Sequence, residues 1–163
     1  MSKQEGRRNL VLFYSWSGNT RKIARLIAQK TGADWKEIVP EQAYPSNYNT
    51  VVEQARREIQ VRHYPPLYPI DMDWSAYETV YLGTPNWWST MAPPVASFLH
   101  GVMPTDKVLV PFCTHGGGGG GHIAQDIAKY CIGCDVLPLL AVQEDGGSRA
   151  EELVNQWLKR IGG

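Results

Sequence analysis

The sequence predicts an α/β fold, a doubly wound five-stranded parallel sheet with helices on both faces. Three observations carry the prediction. Short apolar runs recur along the 163 residues without polar alternation, as strands buried on both faces require. Between them stand segments whose apolar residues fall three and four positions apart, the spacing of an amphipathic helix. The two patterns alternate, and parallel strands need crossovers of that kind.

Leu10-Val11-Leu12-Phe13-Tyr14 is the first strand, after which Asn19-Thr20 opens a helix carrying Ile23, Leu26 and Ile27. A weaker strand signal spans Ala33 to Val39 and ends before Pro40, and Val52, Ala55 and Ile59 mark the second helix. Thr79-Val80-Tyr81-Leu82 is the third strand. Pro93-Pro94 opens the third helix, because a fixed φ suits a first turn, and Gly101 closes it after Val95, Phe98 and Leu99. Val108 to Phe112 is the fourth strand, and Ile123, Ile127 and Cys131 mark a helix that stops at Gly133. The fifth strand, Val136 to Val142, contains Pro138, which cannot donate to a ladder and so favours a sheet edge. Ser148-Arg149-Ala150-Glu151 has the pattern of a capping box ahead of Leu153, Trp157 and Ile161, the last helix.

Residues 9–163 are expected to form one domain, since no repeat or linker breaks them, and residues 1–8 to be a disordered or weakly ordered N-terminus. A hydrophobic content of 43% is enough for a layered core. Sixteen basic residues balance sixteen acidic ones, so no net field draws nucleic acid or an anionic membrane. The apolar run after Asn9 is too short for a signal peptide or a span, which predicts a cytoplasmic protein. Three cysteines make no disulfide framework. Tyr64 to Trp74, with Pro65, Pro66 and Pro69, is long for a connection; a functional loop and a surface segment packed by its own aromatics both fit it.

The chemistry is concentrated in Ser15-Trp16-Ser17-Gly18-Asn19-Thr20, between the first strand and its helix. A turn at a helix N-terminus offers unpaired N–H groups and the positive end of the macrodipole, and here hydroxyls and an amide stand beside them. That is a seat for a phosphate. A plainer reading, in which Ser17 or Asn19 only caps the helix, needs one such residue and leaves the others unexplained. No Gly-x-x-x-x-Gly-Lys-Ser/Thr occurs, which excludes a nucleoside triphosphate P-loop. Gly116 to Gly121 matches Gly-x-Gly-x-x-Gly only because every position is glycine, and it comes too late in the chain for a dinucleotide fold.

The strand, the Ser-x-Ser-Gly-Asn-Thr loop and the helix resemble the phosphate loop of flavodoxins, which bind flavin mononucleotide (FMN). The resemblance implies a flavodoxin-like strand order 2-1-3-4-5. It also implies that Ser15, Ser17, Asn19 and Thr20 donate side-chain hydrogen bonds to the FMN phosphate while Trp16 and Gly18 donate backbone amides. Ligands of such sheets lie beyond the carboxyl ends of the strands, where the order reverses between the first and third. Thr84-Pro85-Asn86-Trp87-Trp88 follows the third strand there, and one of the two tryptophans is expected to stack on the flavin ring. Thr114-His115-Gly116-Gly117-Gly118 follows the fourth strand, where glycines let backbone approach a flat ring. Pro-Asn-Trp-Trp and Cys-Thr-x-Gly-Gly together resemble a bacterial group of flavodoxin-like flavoproteins.

Other signals are weaker. Cys131 and Cys134 have redox spacing but end a helix, where the dipole opposes a thiolate, so a structural role is expected. His115 and His122 are too few for a metal site. Cys113 lacks the arginine of a phosphatase loop, and no Gly-x-Ser-x-Gly is present. Three functional readings stand. The favoured one is an oxidoreductase that takes electrons from NAD(P)H and reduces a small acceptor such as a quinone. The second is a single-electron carrier serving a redox partner protein, which the neutral charge and the absence of an aromatic in the third loop count against. The third is a module that holds FMN or another phosphate without turnover.

Overall fold

The computed structural model describes residues 8–101 and 105–162. Most of the N-terminal segment expected to be weakly ordered, residues 1–7, lies outside the described residues. The first strand begins at Arg8 and runs to Phe13 (β1), followed by α1, Asn19–Thr31. Then come β2 (Asp34–Glu37), α2 (Tyr48–Val61), β3 (Tyr77–Trp87), β4 (Thr90–Met91) and α3 (Pro93–Gly101). The chain continues through β5 (Val108–His115), α4 (Ile123–Tyr130), β6 (Asp135–Val136), β7 (Leu140–Gln143) and α5 (Ala150–Arg160).

The sheet runs β2-β1-β3-β5, all parallel, with β6 and β7 in turn along the far side of β5. The expected order is therefore present, with its fifth strand in two pieces. Two prolines account for the break. Leu109 O accepts from Leu137 N on that side of β5, so Pro111, two residues on, faces the same way without an N–H to offer. Opposite it, Pro138 falls in the gap between Val136 and Leu140. The two-residue β4 is an antiparallel return from β3.

Alternation along β1 divides the core. Leu10 and Leu12 face a layer built with Val95, Phe98 and Leu99 of α3 and Ile123 and Ile127 of α4. Val11 and Phe13 face Ile23, Ala24 and Ile27 of α1 and Val154, Trp157 and Leu158 of α5. Trp157 is fully buried, and its indole donates to Pro138 O at 3.0 Å, satisfying the one polar atom of a side chain otherwise enclosed by hydrocarbon. In α2 the buried positions are Val51 and Ala55, while Val52 and Ile59 are half-buried, so the apolar stripe sits about one residue from the expected one.

One local expectation, the capping box of α5, needs correction. No side chain caps α5: Gly146 and Gly147, at φ 80° and 55°, lead into a 3₁₀ turn over Gly147–Arg149, so Ser148 lies inside that turn and the cap position falls on Arg149. Nor does Ser17 or Asn19 cap α1, whose cap position is Gly18. The Tyr64–Trp74 segment packs on the protein: Pro40 bridges to Leu67, Tyr68 N donates to Val39 O, and Leu67, Ile70, Met72 and Trp74 rest on the core. Burial, and then Cys134 nearby, pushes the Cys131 thiol up to about 12, so it stays protonated at the end of α4. Among the described residues no helix is long and apolar enough to cross a membrane.

Candidate functional site

β1 delivers the first loop. Tyr14 N donates to Gly83 O at 3.1 Å, holding the chain beside β3 as it leaves the sheet. Gly18, at φ 100°, makes the turn into α1, a backbone state that costs any residue with a Cβ. Ser15 Oγ accepts from the amides of Gly18 (3.1 Å) and Arg21 (3.2 Å) and so stitches the turn to the first turn of the helix. Among the described residues, the amides of Ser17, Asn19 and Thr20 donate to no protein group. They stand at the positive end of a 13-residue helix, the arrangement an anion seat requires. The cations nearby are engaged elsewhere: Arg21 pairs with Glu37, and Lys22 lies 3.4 Å from Asp145.

The second loop is the hairpin joining β3 to β4. Its two central residues, Trp88 and Ser89, sit at φ 59° and 69°, as a turn matched to the sheet twist requires, although neither is glycine. That strain costs on the order of 1–3 kcal/mol per residue and persists because the surroundings fix it. Trp88 Nε1 donates to Val52 O of α2 at 2.9 Å, which holds the half-exposed indole against the helix. Trp87 turns the other way, edge-to-face with Tyr44 (5.3 Å) and Tyr14 (5.7 Å). Burial, and then Glu58, pushes both phenols well above the ordinary tyrosine range, so they remain neutral. Thr84 is buried below the loop, where its hydroxyl donates to Pro85 O and accepts from Ala92 N, tying β3 to the start of α3.

The third loop leaves β5 at His115, whose Nδ1 accepts from the amides of Gly117 (3.0 Å) and Gly119 (3.1 Å). Asn86 Nδ2 donates to Gly119 O at 2.7 Å, and His122 N donates to Ser89 O at 2.8 Å, so the glycines are fastened to the second loop. A further bond, Thr20 Oγ1 to Thr114 Oγ1 at 2.7 Å and buried, fastens the first loop to the third. The three loops enclose a cleft of about 390 Å³ beyond the carboxyl ends of β1, β3 and β5.

A family model described as flavodoxin matches residues 8–161. The chain belongs to the flavodoxin family. No match is found among curated proteins. Among solved structures, a candidate flavoprotein of Bacteroides eggerthii is 24% identical, with 96% of this chain and 98% of that one covered at a TM-score of 0.82. A Lactobacillus acidophilus flavoprotein, solved in complex with FMN, is 23% identical over 90% of this chain and 98% of that one, TM-score 0.73. A WrbA-like flavodoxin of Agrobacterium tumefaciens is 15% identical over 95% and 94%, TM-score 0.66. These likenesses are of fold.

In this flavodoxin-family chain the cleft brings together Trp16, Ser17, Asn19 and Thr20 of the first loop, Pro85, Asn86, Trp87 and Trp88 of the second, and Thr114, His115 and Gly116 of the third. Ser15, Gly18, Thr84, Gly117 and Gly118 are not on its wall; the first three shape the loops, and Gly117 binds back to His115. Sequence reasoning missed the opposite wall. Tyr48, Val51, Val52 and Ala55 of α2 line the cleft together with Glu144. The signal available for α2 was Asn47, whose side chain accepts from Thr50 N as a helix cap, but no local pattern tells which loop a helix face meets.

Proposed function

We propose that the cleft binds one FMN non-covalently and that the protein is an oxidoreductase passing electrons from NAD(P)H to a small, quinone-like acceptor. The observation that carries the reading is the convergence of three loops on one cleft whose anion seat is made of neutral donors. The residues fit the group. The amides of Ser17, Asn19 and Thr20, with the hydroxyl of Ser17 and the amide of Asn19, would hold a phosphate monoester at the start of α1. The Trp88 ring and the Pro85–Trp87 backbone would flank one side of the ring system, and the 114–116 backbone would meet its edge. The cleft volume lies within the range of cofactor pockets. FMN bound to the Lactobacillus acidophilus flavoprotein supports the choice of cofactor.

When bound, FMN supplies the electron-transfer chemistry. The chain's own task is to seat and orient it and to keep water from one face. Behind Trp87 the phenols of Tyr14 and Tyr44 stay neutral, and Tyr44 donates to the Glu58 carboxylate. The proposed setting is the cytoplasm, where NAD(P)H and three reduced thiols are compatible.

The test is an absorbance spectrum of the purified protein, before and after adding FMN and then NADH or NADPH without oxygen. The expected result is bound-flavin bands that bleach promptly with the nicotinamide. Bands that persist would overturn the oxidoreductase in favour of a carrier fed by a partner protein, and failure to bind FMN would overturn the flavin reading.

A further inference from the structure

On the other side of Trp88 lies a second cavity, of about 440 Å³, between the end of α2, the hairpin and α4. Its charge is uneven. The two carboxylates on its wall are occupied: Glu58 accepts from Tyr44 and Gln54, and Asp126 Oδ2 accepts from Thr90 Oγ1 at 2.6 Å and meets His122 Nδ1 at 2.6 Å. The cations are loosely held. Arg62 and His63 make no side-chain hydrogen bond or ion pair among the described residues, and Lys129 is mostly exposed, 3.7 Å from Asp126 Oδ1. The wall between these groups is aromatic. Tyr64 and Tyr130 share a hydroxyl contact of 2.9 Å, Tyr64 is backed by His100 in a stack at 4.1 Å, and Trp88 closes the side toward the first cleft.

The His122–Asp126 contact also fixes a tautomer. Burial raises the Asp126 carboxyl, but hydrogen bonds from Thr90 and His122 outweigh it and hold the group below its ordinary range. An ionised carboxylate only accepts, so Nδ1 carries the hydrogen and Nε2 is the nitrogen left to meet a ligand.

We propose that this second cavity binds a planar aromatic ring bearing an anionic substituent, the class of compound on which the protein acts. The ring lies against Tyr64, Tyr130 and Trp88, the anionic group meets Arg62 and Lys129, and a hydroxyl on the ring donates to His122 Nε2. The identification of this compound as the substrate rests on the reading that the first cleft holds FMN. Trp88, on the wall of both cavities, is the side chain that separates them.

The experiment is isothermal titration of the FMN-loaded protein, and of the protein without FMN, with 2-naphthalenesulfonate and with its neutral counterpart 2-naphthalenemethanol. The sulfonate is expected to bind, and an Arg62→Gln, Lys129→Gln double change is expected to weaken it about tenfold or more, since hydrogen bonds to a charged group are lost. Binding of 2-naphthalenemethanol and of FMN should stay unchanged. Lys129→Glu, on an exposed side chain, gives an independent reading of the same loss if the double variant does not fold. Sulfonate binding indifferent to these changes, displaced by FMN, or absent would overturn the site. Loss of FMN binding with the Arg62-dependent sulfonate site intact would instead overturn the flavin reading alone.

Discussion

The first and third loops of the cleft both turn on glycine, yet they are built on opposite plans. Residues 15–20 contain one glycine among side chains that are mostly polar, and those side chains order the loop: Ser15 Oγ holds two amides of its own loop and helix, Trp16 Nε1 donates to Pro45 O, and Thr20 bonds to Thr114. Residues 116–121 are all glycine and have no side chain to hold them, so their order comes from outside, from His115, Asn86 and the Ser89 carbonyl. The first loop offers donors to a ligand, and the third offers the absence of a Cβ. A glycine run is thus not a flexible linker where neighbouring loops supply its hydrogen bonds.

The sharpest way to break this contrast is at the donors. A Ser17→Ala, Asn19→Ala double change is expected to weaken FMN binding by about 3 kcal/mol or more, at about 1.5–3 for each hydrogen bond to a charged group. The stability of the FMN-free protein should barely move, because neither side chain caps the helix. Fluorescence titration with FMN and urea unfolding of the same variant check the two halves. Unchanged binding would put the phosphate elsewhere.

The third loop should respond in the opposite sense. Gly121 sits at φ 52°, and a Cβ there would lie 2.5 Å from Ser89 O, so neither backbone nor neighbour has room. Gly121→Ala is expected to cost about 2–3 kcal/mol of stability, the sum of a left-handed backbone and a steric clash. Urea unfolding measures it, and a loss below 0.5 kcal/mol would mean that the two loops are not fastened there. Asn86→Ala should cost less, about 1 kcal/mol, since it removes one hydrogen bond to Gly119 O and leaves that carbonyl within reach of water.

These differences also explain what the sequence made legible. The sheet was readable because strands buried on both faces leave unbroken apolar runs, as Leu10–Tyr14 and Val108–Phe112 do. Pro138 marked the fifth strand as an edge strand, but its division into two pieces was not legible until Pro111 was placed beside it. The α5 cap was misread because Gly146-Gly147 decides the approach to the helix, and a capping-box pattern ignores what precedes it. At the site, the first loop was legible because its parts are contiguous. Trp88 on Val52, Trp87 between Tyr14 and Tyr44, and the α2 wall are meetings of distant segments, which no local spacing encodes.

The smallest expected effect on stability separates the two kinds of glycine within one loop. A Cβ added at Gly116 or at Gly118 meets nothing in the protein, and neither residue needs a left-handed backbone. Each change to alanine should therefore shift unfolding by less than about 0.5 kcal/mol. Their effects on FMN binding should diverge. Gly116 is on the cleft wall and Gly118 is not, so on the proposed binding mode a methyl group at 116 would intrude on the ring and should weaken binding about tenfold, or about 1.4 kcal/mol. The methyl group at 118 should leave it unchanged. Equal affinity for both variants would show that the third loop contributes no close approach, and that its glycines serve only the contacts with His115, Asn86 and Ser89.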